Sequence, residues 1–163
     1  MREAAADAVT LREITADTVI AVCRLSVAEA QKGFVAANAV SLAQALFAPD
    51  AWYRAIYLGE EPVGFVMLED TSLRSPPPDE PQAGVWRLMV DARHQGRGIG
   101  RAAMRQVIDH VRRKGLFRTL EVSYVPGPGC PEAFYLGLGF RHTGRRDGPE
   151  IVLERPLDTE APT

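Results

Sequence analysis

The sequence has little cysteine, and its two cysteines exclude the classes of protein that depend on many. Cys23 and Cys130 are too few for a disulfide framework, and the chain has no CxxC or HExxH motif that would predict a metal site. The sequence therefore predicts a protein with reduced thiols and no bound metal, as is usual in the cytoplasm.

An excess of charge of one sign and a long apolar run are also missing. Nineteen lysines and arginines against 21 aspartates and glutamates give a net charge of −2, unlike the basic footprint of a nucleic-acid-binding protein. No apolar stretch approaches the roughly 20 residues of a transmembrane helix, and residues 1–8 lack the apolar core of a signal peptide. We therefore expect a cytoplasmic protein without a nucleic-acid or membrane partner.

The length and the periodicity of the 163 residues predict one mixed α/β domain. We expect this domain over residues 9–155, between a flexible N-terminus (1–8) and a polar C-terminal tail (156–163). The predicted order is β-α-α-β-β-β-α-β-α-β-β, with one parallel crossover around residues 85–124. The predicted strands are residues 9–14, 53–58, 63–68, 85–90, 120–124, 140–143 and 151–153, and the predicted helices begin near Thr15, Ser41, Gly100 and Pro131.

The most informative segment is a glycine-rich turn between the strand at 85–90 and the following helix. Its three glycines let the backbone turn sharply and approach a ligand closely. The first amides of the helix have no partner within the helix and lie at the positive end of its dipole, so they favour a phosphate group. The turn comprises Gln95, Gly96, Arg97, Gly98, Ile99, Gly100 and Arg101.

Two nucleotide-binding motifs can be compared with this turn. A Walker A loop is excluded, because Arg101 and Ala102 follow the last glycine in place of Lys and Ser or Thr. A dinucleotide fingerprint, Gly98-x-Gly100-x-x-Ala103, stays open as an alternative. The hairpin predicted ahead of it and its late position in the chain disfavour that alternative.

Two motifs together resemble those of the GNAT superfamily of N-acetyltransferases. The first is Q-x-x-G-x-G at residues 95–100, and the second is F-Y-x-x-L-G-F at residues 134–140. The resemblance covers about residues 9–155. It implies a mixed, mostly antiparallel central sheet flanked by helices, with an acyl-CoA-binding βα turn. Segments at 27–38, 41–45, 63–67, 86–91 and 147–152 are most similar to bacterial spermine/spermidine acetyltransferases.

This resemblance implies acetyl-CoA as co-substrate and a polyamine as the acetyl acceptor. The backbone of Leu88, Met89 and Val90 would bind the pantetheine and the acetyl carbonyl, and the amides of residues 95–101 would hold the diphosphate. An opening of the sheet between the strands at 85–90 and 120–124 would give the cofactor arm its slot. The amine would attack the thioester directly, and Tyr135 would protonate the leaving sulfur as general acid. A homodimer is also expected from the resemblance.

One departure from the family pattern concerns the loop before Tyr135. Proteins of this family commonly carry an Asn seven residues and an Ala four residues before the tyrosine, and this chain has Pro128 and Pro131 there. A proline has no side-chain amide, so the usual Asn contact with the cofactor is missing.

The acceptor side is less well defined by the sequence. A cationic amine needs carboxylates for recognition, and Glu29 is the first candidate. The candidate general bases are Glu29, Glu69, Asp91 and Glu121, and the aromatic residues that could pack on a polyamine are Phe34, Trp52, Tyr53 and Trp86. His94, His110 and His142 are read as structural or solvated, with His94 expected to be exposed.

Three alternatives remain open. The acceptor could be an aminoglycoside-like compound, another small amine or a protein amine. The domain could bind acetyl-CoA without catalysis, which the loss of Asn at position 128 makes plausible. It could also bind a nicotinamide dinucleotide.

Overall fold

The computed structural model describes residues 8–157. Residues 1–7 of the predicted N-terminus and residues 158–163 of the predicted tail lie outside this range. The described residues form seven strands, β1 (Val9–Arg12), β2 (Ala51–Leu58), β3 (Glu61–Asp70), β4 (Ala83–Val90), β5 (Thr119–Tyr124), β6 (Arg141–Asp147) and β7 (Glu150–Pro156). Their four α-helices are α1 (Val19–Arg24), α2 (Asn38–Ala45), α3 (Ile99–Lys114) and α4 (Glu132–Leu136).

One sheet contains all seven strands, in the order β1-β2-β3-β4-β5-β7-β6. Every neighbouring pair is antiparallel except β4 and β5, which α3 connects as a parallel crossover. The predicted α/β class, element order and single crossover are confirmed. In the part of the chain that the structure describes, no helix is both long and apolar enough to cross a bilayer.

The start of α2 differs from the prediction. The sequence suggested that Ser41 caps this helix, but α2 begins at Asn38 and Ser41 is fully buried within it. Asn38 is also buried, and its side-chain amide donates to the carbonyl of Val22 at 2.9 Å. This contact with α1 fixes the first turn of α2, so tertiary packing overrides the capping preference of serine.

Other boundaries shift by a few residues. Helix α1 ends at Arg24, because Leu25 is extended, so Val27 lies beyond it. Pro131 is the N-cap of α4 and does not lie in its first turn. The last strand runs to Pro156, and Leu157 is buried.

The sheet carries an apolar core on each face. The larger core packs α3 and α4 on one face, and it includes the buried stripe of α3, namely Ala103, Met104, Val107, Ile108 and Val111. The smaller core packs Val22 and Leu25 of the α1 region against Phe65, Met67 and Met89 on the other face. Successive residues of the central strands therefore serve opposite cores, as the period of a strand requires.

Strands β4 and β5 separate after three residue pairs. The parallel pairing joins Ala83 to Leu120, Gly84 to Glu121 and Val85 to Val122, and ends there, although β4 continues to Val90. The register of β4 against β3 also shifts beyond Val85, where Trp86 is the extra residue of a β-bulge. Bulges bend and twist a strand, so the second half of β4 leaves β5 and opens the sheet.

Candidate active site

A cleft of about 1160 Å³ occupies the opening between β4 and β5. One wall is the second half of β4, and the other is formed by β5 and α4. The glycine-rich turn closes one end of the cleft, and the loop around Phe34 covers part of it. The sheet is therefore interrupted where a strand-like ligand could lie between two strands.

The backbone of β4 presents unpaired polar groups to this cleft. Along an edge of an antiparallel pair, residues whose backbone bonds to the neighbouring strand alternate with residues whose backbone points away from it. The hydrogen bond from Asp91 N to Val63 O (2.8 Å) shows that Asp91 bonds to the β3 side, so Met89, two residues earlier, bonds to β3 as well. The backbone groups of Leu88 and Val90 then point away from β3, towards the opening. Of the three predicted β4 residues, Met89 thus offers its side chain to the smaller core and its backbone to β3.

The glycine-rich turn presents amides at the start of α3. Gly98 has φ +78° and is the N-cap of the helix, a conformation that residues other than glycine adopt at a cost. The first helical hydrogen bond runs from Ala102 N to Gly98 O at 3.1 Å. The amides of Ile99, Gly100 and Arg101 therefore lie ahead of the helical ladder and can donate to an anion.

Two contacts hold this turn in place. The side-chain amide of Gln95 donates to Val90 O (3.0 Å) and to Gln31 Oε1 (2.6 Å), which ties the turn to the end of β4. A Cβ at Gly100 would lie 3.6 Å from the ring of Phe134, so α4 packs closely on the first turn of α3. Gln95 therefore uses its side chain as an anchor, and the anion site depends on backbone groups.

Asp91 is a buried carboxylate that joins the turn to the α1 region. Its oxygens accept from Ser26 N (3.0 Å), Arg93 N (3.1 Å) and Arg93 Nε (2.9 Å). Burial alone would raise the pKa of Asp91, but the hydrogen bonds from Ser26 and Arg93 outweigh it and hold that pKa below its ordinary value. The three donors occupy the carboxylate, so Asp91 is better placed to hold the loop than to take a proton.

Asp91→Asn is expected to lower the free energy of unfolding at pH 7 by about 2 kcal/mol, because charge-assisted hydrogen bonds are lost. A carboxylate whose pKa is lowered by folding stabilises the protein above its unfolded pKa, about 3.9, and loses that contribution as the pH falls through the folded pKa. Urea unfolding at pH 7 and pH 3 should therefore show a smaller pH effect in the variant than in the wild type. Asp109→Asn, on the exposed side of α3, is the control and should resemble the wild type; an equal pH effect in Asp91→Asn would contradict the prediction.

Tyr135 lies in α4 and lines the cleft. It is 6% exposed and packs edge-on against Phe134 and Phe140, with ring centroids 5.1 and 5.4 Å away. Burial raises the pKa of Tyr135 above its ordinary value. The phenol is therefore neutral at physiological pH and carries a proton that it can donate into the cleft.

Two carboxylates lie where β4 and β5 are still paired. Glu69 on β3 and Glu121 on β5 lie opposite Gly84 of β4. Val90, next to the turn, is six residues farther along β4, or about 20 Å at the rise of a strand. Asp147 and Glu150 of the last hairpin also line the cleft, beside the far end of β5, since Glu150 precedes Ile151, the partner of Tyr124. We call these four residues the acidic lining.

Cationic and hydroxyl groups position part of the acidic lining. Ser123 Oγ donates to Glu150 Oε2 at 2.8 Å, and Arg145 forms an ion pair with Glu121. Arg87 lies under Trp86 and donates to Gln44 at 3.2 Å. Burial lowers the pKa of the Arg87 guanidinium and the nearby Glu150 opposes that shift. The cleft thus combines a donor-rich turn with the acidic lining.

Several predicted residues lie away from the cleft. Glu29 is in an exposed 3-10 turn and pairs with Lys32 at 2.6 Å. Arg97 contacts His94 at 3.2 Å, and neither Glu29 nor Arg97 lines the cleft. Of the four predicted aromatic residues, Phe34 and Trp86 line it.

The histidines and the remaining aromatic residues have structural surroundings. The expectation that His94 is exposed is wrong, because its side chain is only 12% exposed and lies 3.5 Å from Glu61. His110 stacks on Trp52 at 4.4 Å between ring centroids, and burial lowers its pKa. Tyr53 packs near Phe65 in the smaller core.

Sequence reasoning missed Ser123, Asp147 and Glu150. The alternation of β5 places Ser123 on the same face as Glu121, so this residue could have been found from the strand period alone. Glu150 and Asp147 come from the last hairpin, and only the pairing of β7 with β5 brings them to the cleft. No local motif announces that pairing.

The comparisons with known proteins agree with this geometry. A sequence model described as "Acetyltransferase (GNAT) family" matches residues 28–140, more than half of the chain. The chain belongs to this family. The predicted GNAT fold is confirmed, and the family that the model describes is one of acetyltransferases.

Individual relatives point in the same direction. The chain is 32% identical to N-acetyltransferase 8F1 of Rattus norvegicus over 88 residues, 54% of this chain and 38% of the rat protein. It therefore spans less than half the length of this curated relative. An acetyltransferase from Thermus thermophilus has a similar fold, with a TM-score of 0.71, 23% identity, and coverage of 91% of this chain and 97% of that one.

A third relative has a cofactor bound. The PaiA N-acetyltransferase of Thermoplasma acidophilum, solved in complex with coenzyme A, matches with a TM-score of 0.66 and 15% identity over 91% of this chain and 98% of that one. At this identity the likeness concerns the fold. The co-substrate predicted for this chain is the acetyl form of that coenzyme.

The residues of this chain fit such a co-substrate. The amides of Ile99, Gly100 and Arg101 can hold a diphosphate, and the backbone of Leu88 and the amide of Val90 can pair with the amide groups of a pantetheine arm. The departures at Pro128 and Pro131 lie in the loop before α4, where Pro131 lines the cleft without a side-chain amide. The fit therefore rests on the backbone of β4 and of the turn.

Proposed function

We propose that this protein transfers the acetyl group of acetyl-CoA to a primary amine of a polyamine such as spermidine or spermine. The observation that carries the proposal is the cleft itself. It opens at the separation of β4 and β5, has free amides at the turn, and is lined by carboxylates of β3, β5 and the last hairpin. An anionic donor and a cationic acceptor would thus meet beside β4.

The donor side is built from backbone groups. The amides at the start of α3 bind the diphosphate, while Leu88 and Val90 align the arm along β4, which removes translational freedom before the reaction. The thioester of acetyl-CoA supplies an activated acyl group. One of the two free β4 amides donates to the carbonyl oxygen as it gains negative charge, a contact typically worth about 3 kcal/mol.

The acceptor side is built from the acidic lining. Its carboxylates can pair with the ammonium groups of a polyamine, and Phe34 and Trp86 can pack on the methylene chain between them. Glu29, the carboxylate first predicted for this role, does not line the cleft, although its partner Lys32 does. The proposal therefore gives recognition to Glu69, Glu121 and Glu150.

Proton movement needs an acid and a base. Tyr135 protonates the leaving sulfur, and burial that raises the pKa of a phenol also raises the pKa of a thiol in the same surroundings, so the transfer stays feasible. The attacking nitrogen must first lose a proton, since alkylammonium groups titrate near the pKa of lysine, about 10.4. Of the four candidate bases, Glu69 and Glu121 line the cleft.

An acceptor panel tests the proposal. Release of free CoA would be followed with spermine, spermidine, putrescine, an aminoglycoside and a peptide with a free N-terminus. We expect the highest kcat/KM for spermidine or spermine, and we expect Glu150→Gln to raise the KM for spermidine about tenfold with little change in the KM for acetyl-CoA, because one charge pair is lost. Glu29→Gln is the matched control and should behave as the wild type.

Other outcomes would identify the alternatives. Turnover of the aminoglycoside or the peptide without turnover of any polyamine would reject the proposed acceptor and retain the reaction. Calorimetric binding of acetyl-CoA with no turnover of any amine would indicate a binding module. The homodimer and the cytoplasmic location stay predictions from the sequence.

A further inference from the structure

A second cavity, of about 360 Å³, lies on the outer side of α3. We call it the arginine cavity, because four arginines line it: Arg101, Arg105, Arg112 and Arg155. Asp109 is its one acidic lining residue, and Gly137 and Leu138 at the end of α4 form the opposite wall. Such a concentration of positive charge contrasts with the net charge of −2 of the chain.

The arginines of α3 stand in a row along the helix. Arg101 and Arg105 are four residues apart, so they share one face about 6 Å apart along the axis, and like charges in that relation destabilise a helix. Among residues 8–157, no carboxylate forms an ion pair with either of them; Asp109 pairs with Arg112, at 3.4 Å. An anion between the two guanidiniums would remove their repulsion.

The guanidinium of Arg155 is held from the other side. Its Nε donates to Leu138 O at 2.9 Å and its Nη1 to Pro156 O at 3.0 Å. These two bonds fix the side chain of Arg155 and leave its Nη2 free to donate to another acceptor. Planar guanidinium groups bind phosphate oxygens well, because their donors match the spacing of the oxygens.

The arginine cavity adjoins the phosphate end of the active-site cleft. Arg101 lines both cavities, and its amide belongs to the turn that we assign to the diphosphate. Coenzyme A carries another phosphate, on the 3′ carbon of its adenosine ribose, so that one ribose ring separates it from the diphosphate on the 5′ carbon. A nucleoside that leaves the turn along α3 would bring this phosphate to Arg105.

We propose that the arginine cavity binds the 3′-phosphate of coenzyme A, and that Arg105 and Arg112 make the protein select CoA over 3′-dephospho-CoA. This inference rests on the proposed function, since it assumes that the turn holds the diphosphate. It adds a second anchor to the donor, on the face of α3 that is remote from the acetyl group. The selectivity acts on binding and leaves the chemistry of the acetyl transfer unchanged.

Calorimetry with CoA and 3′-dephospho-CoA tests this inference. We expect the wild type to bind CoA at least about tenfold more tightly, and the double variant Arg105→Gln/Arg112→Gln to bind both ligands about equally, with its Kd for 3′-dephospho-CoA unchanged. Arg113→Gln/Arg118→Gln is the control, because it removes the same charge from residues that do not line the cavity. The control should keep the wild-type preference for CoA.

Three results would overturn the inference. Equal affinities of the wild type for the two ligands would remove the 3′-phosphate from the cavity while leaving the acetyl transfer intact. An equal loss of affinity for both ligands in the double variant would mean that the arginines attract any anionic ligand and do not contact the 3′-phosphate. Binding of inorganic phosphate to protein saturated with CoA would indicate a separate anion site. If the wild type bound neither ligand, the proposed function would fail as well, which the first three results do not imply.

Discussion

Tyr135→Phe is expected to lower kcat about a hundredfold or more, with little change in the Kd for acetyl-CoA. The substitution removes the proton donor for the leaving sulfur, and general acids of this kind contribute about 10²–10⁴-fold to rate. It leaves the ring, which packs on Phe134 and Phe140, in place. Steady-state kinetics with spermidine and calorimetry with acetyl-CoA measure the two quantities separately.

Two other tyrosines provide the comparison. Tyr57→Phe removes a hydroxyl from the smaller core, away from the cleft, and should leave kcat unchanged. Tyr124 also lines the cleft, and burial first and the nearby Glu132 carboxylate second raise its pKa. A large loss of kcat in Tyr124→Phe, together with wild-type turnover in Tyr135→Phe, would transfer the acid role to Tyr124.

Gly98→Asp is expected to weaken acetyl-CoA binding at least about tenfold relative to Gly98→Asn. The Cβ of either side chain would enter open space beside the free amides of α3, where the diphosphate is proposed to bind. The two side chains have the same shape, and both Asp and Asn tolerate the left-handed backbone conformation better than most residues. Their difference in affinity therefore reports the repulsion between one carboxylate and the diphosphate.

Stability measurements complete this comparison. Thermal unfolding should show similar Tm values for the two Gly98 variants, since they share the same backbone cost. The difference in Kd should shrink as the salt concentration rises, because added ions screen the repulsion. Equal affinities of the Asp and Asn variants at low salt would place the diphosphate elsewhere.

The part of the site that is local in sequence could be predicted. The amides of Ile99, Gly100 and Arg101 belong to consecutive residues, and glycines followed by a helix make their geometry readable without tertiary information. The buried stripe of α3 was readable for the same reason, because Met104 and Val107 follow the helical period.

The parts that depend on distant strands could not be predicted to the same depth. An opening between the fourth and fifth strands was expected, but its start after Val85 depends on a bulge at Trp86 that no glycine or proline marks. The acidic lining needs the register of β7 on β5 to bring in Glu150. Glu29 is the first candidate from its position near the first helices. Its ion pair with Lys32 depends on the side-chain conformations, which the sequence does not specify.

The short pairing between β4 and β5 has a consequence for how long the protein survives. Within residues 8–157, three residue pairs of the sheet join the four strands on one side of the opening to the three on the other. A donor lying there bridges the two parts like an added strand, and a ligand at a hundred times its Kd raises the free energy of unfolding by about 2.7 kcal/mol. Under the proposed function, the proteolytic half-life should then lengthen as the concentration of acetyl-CoA rises.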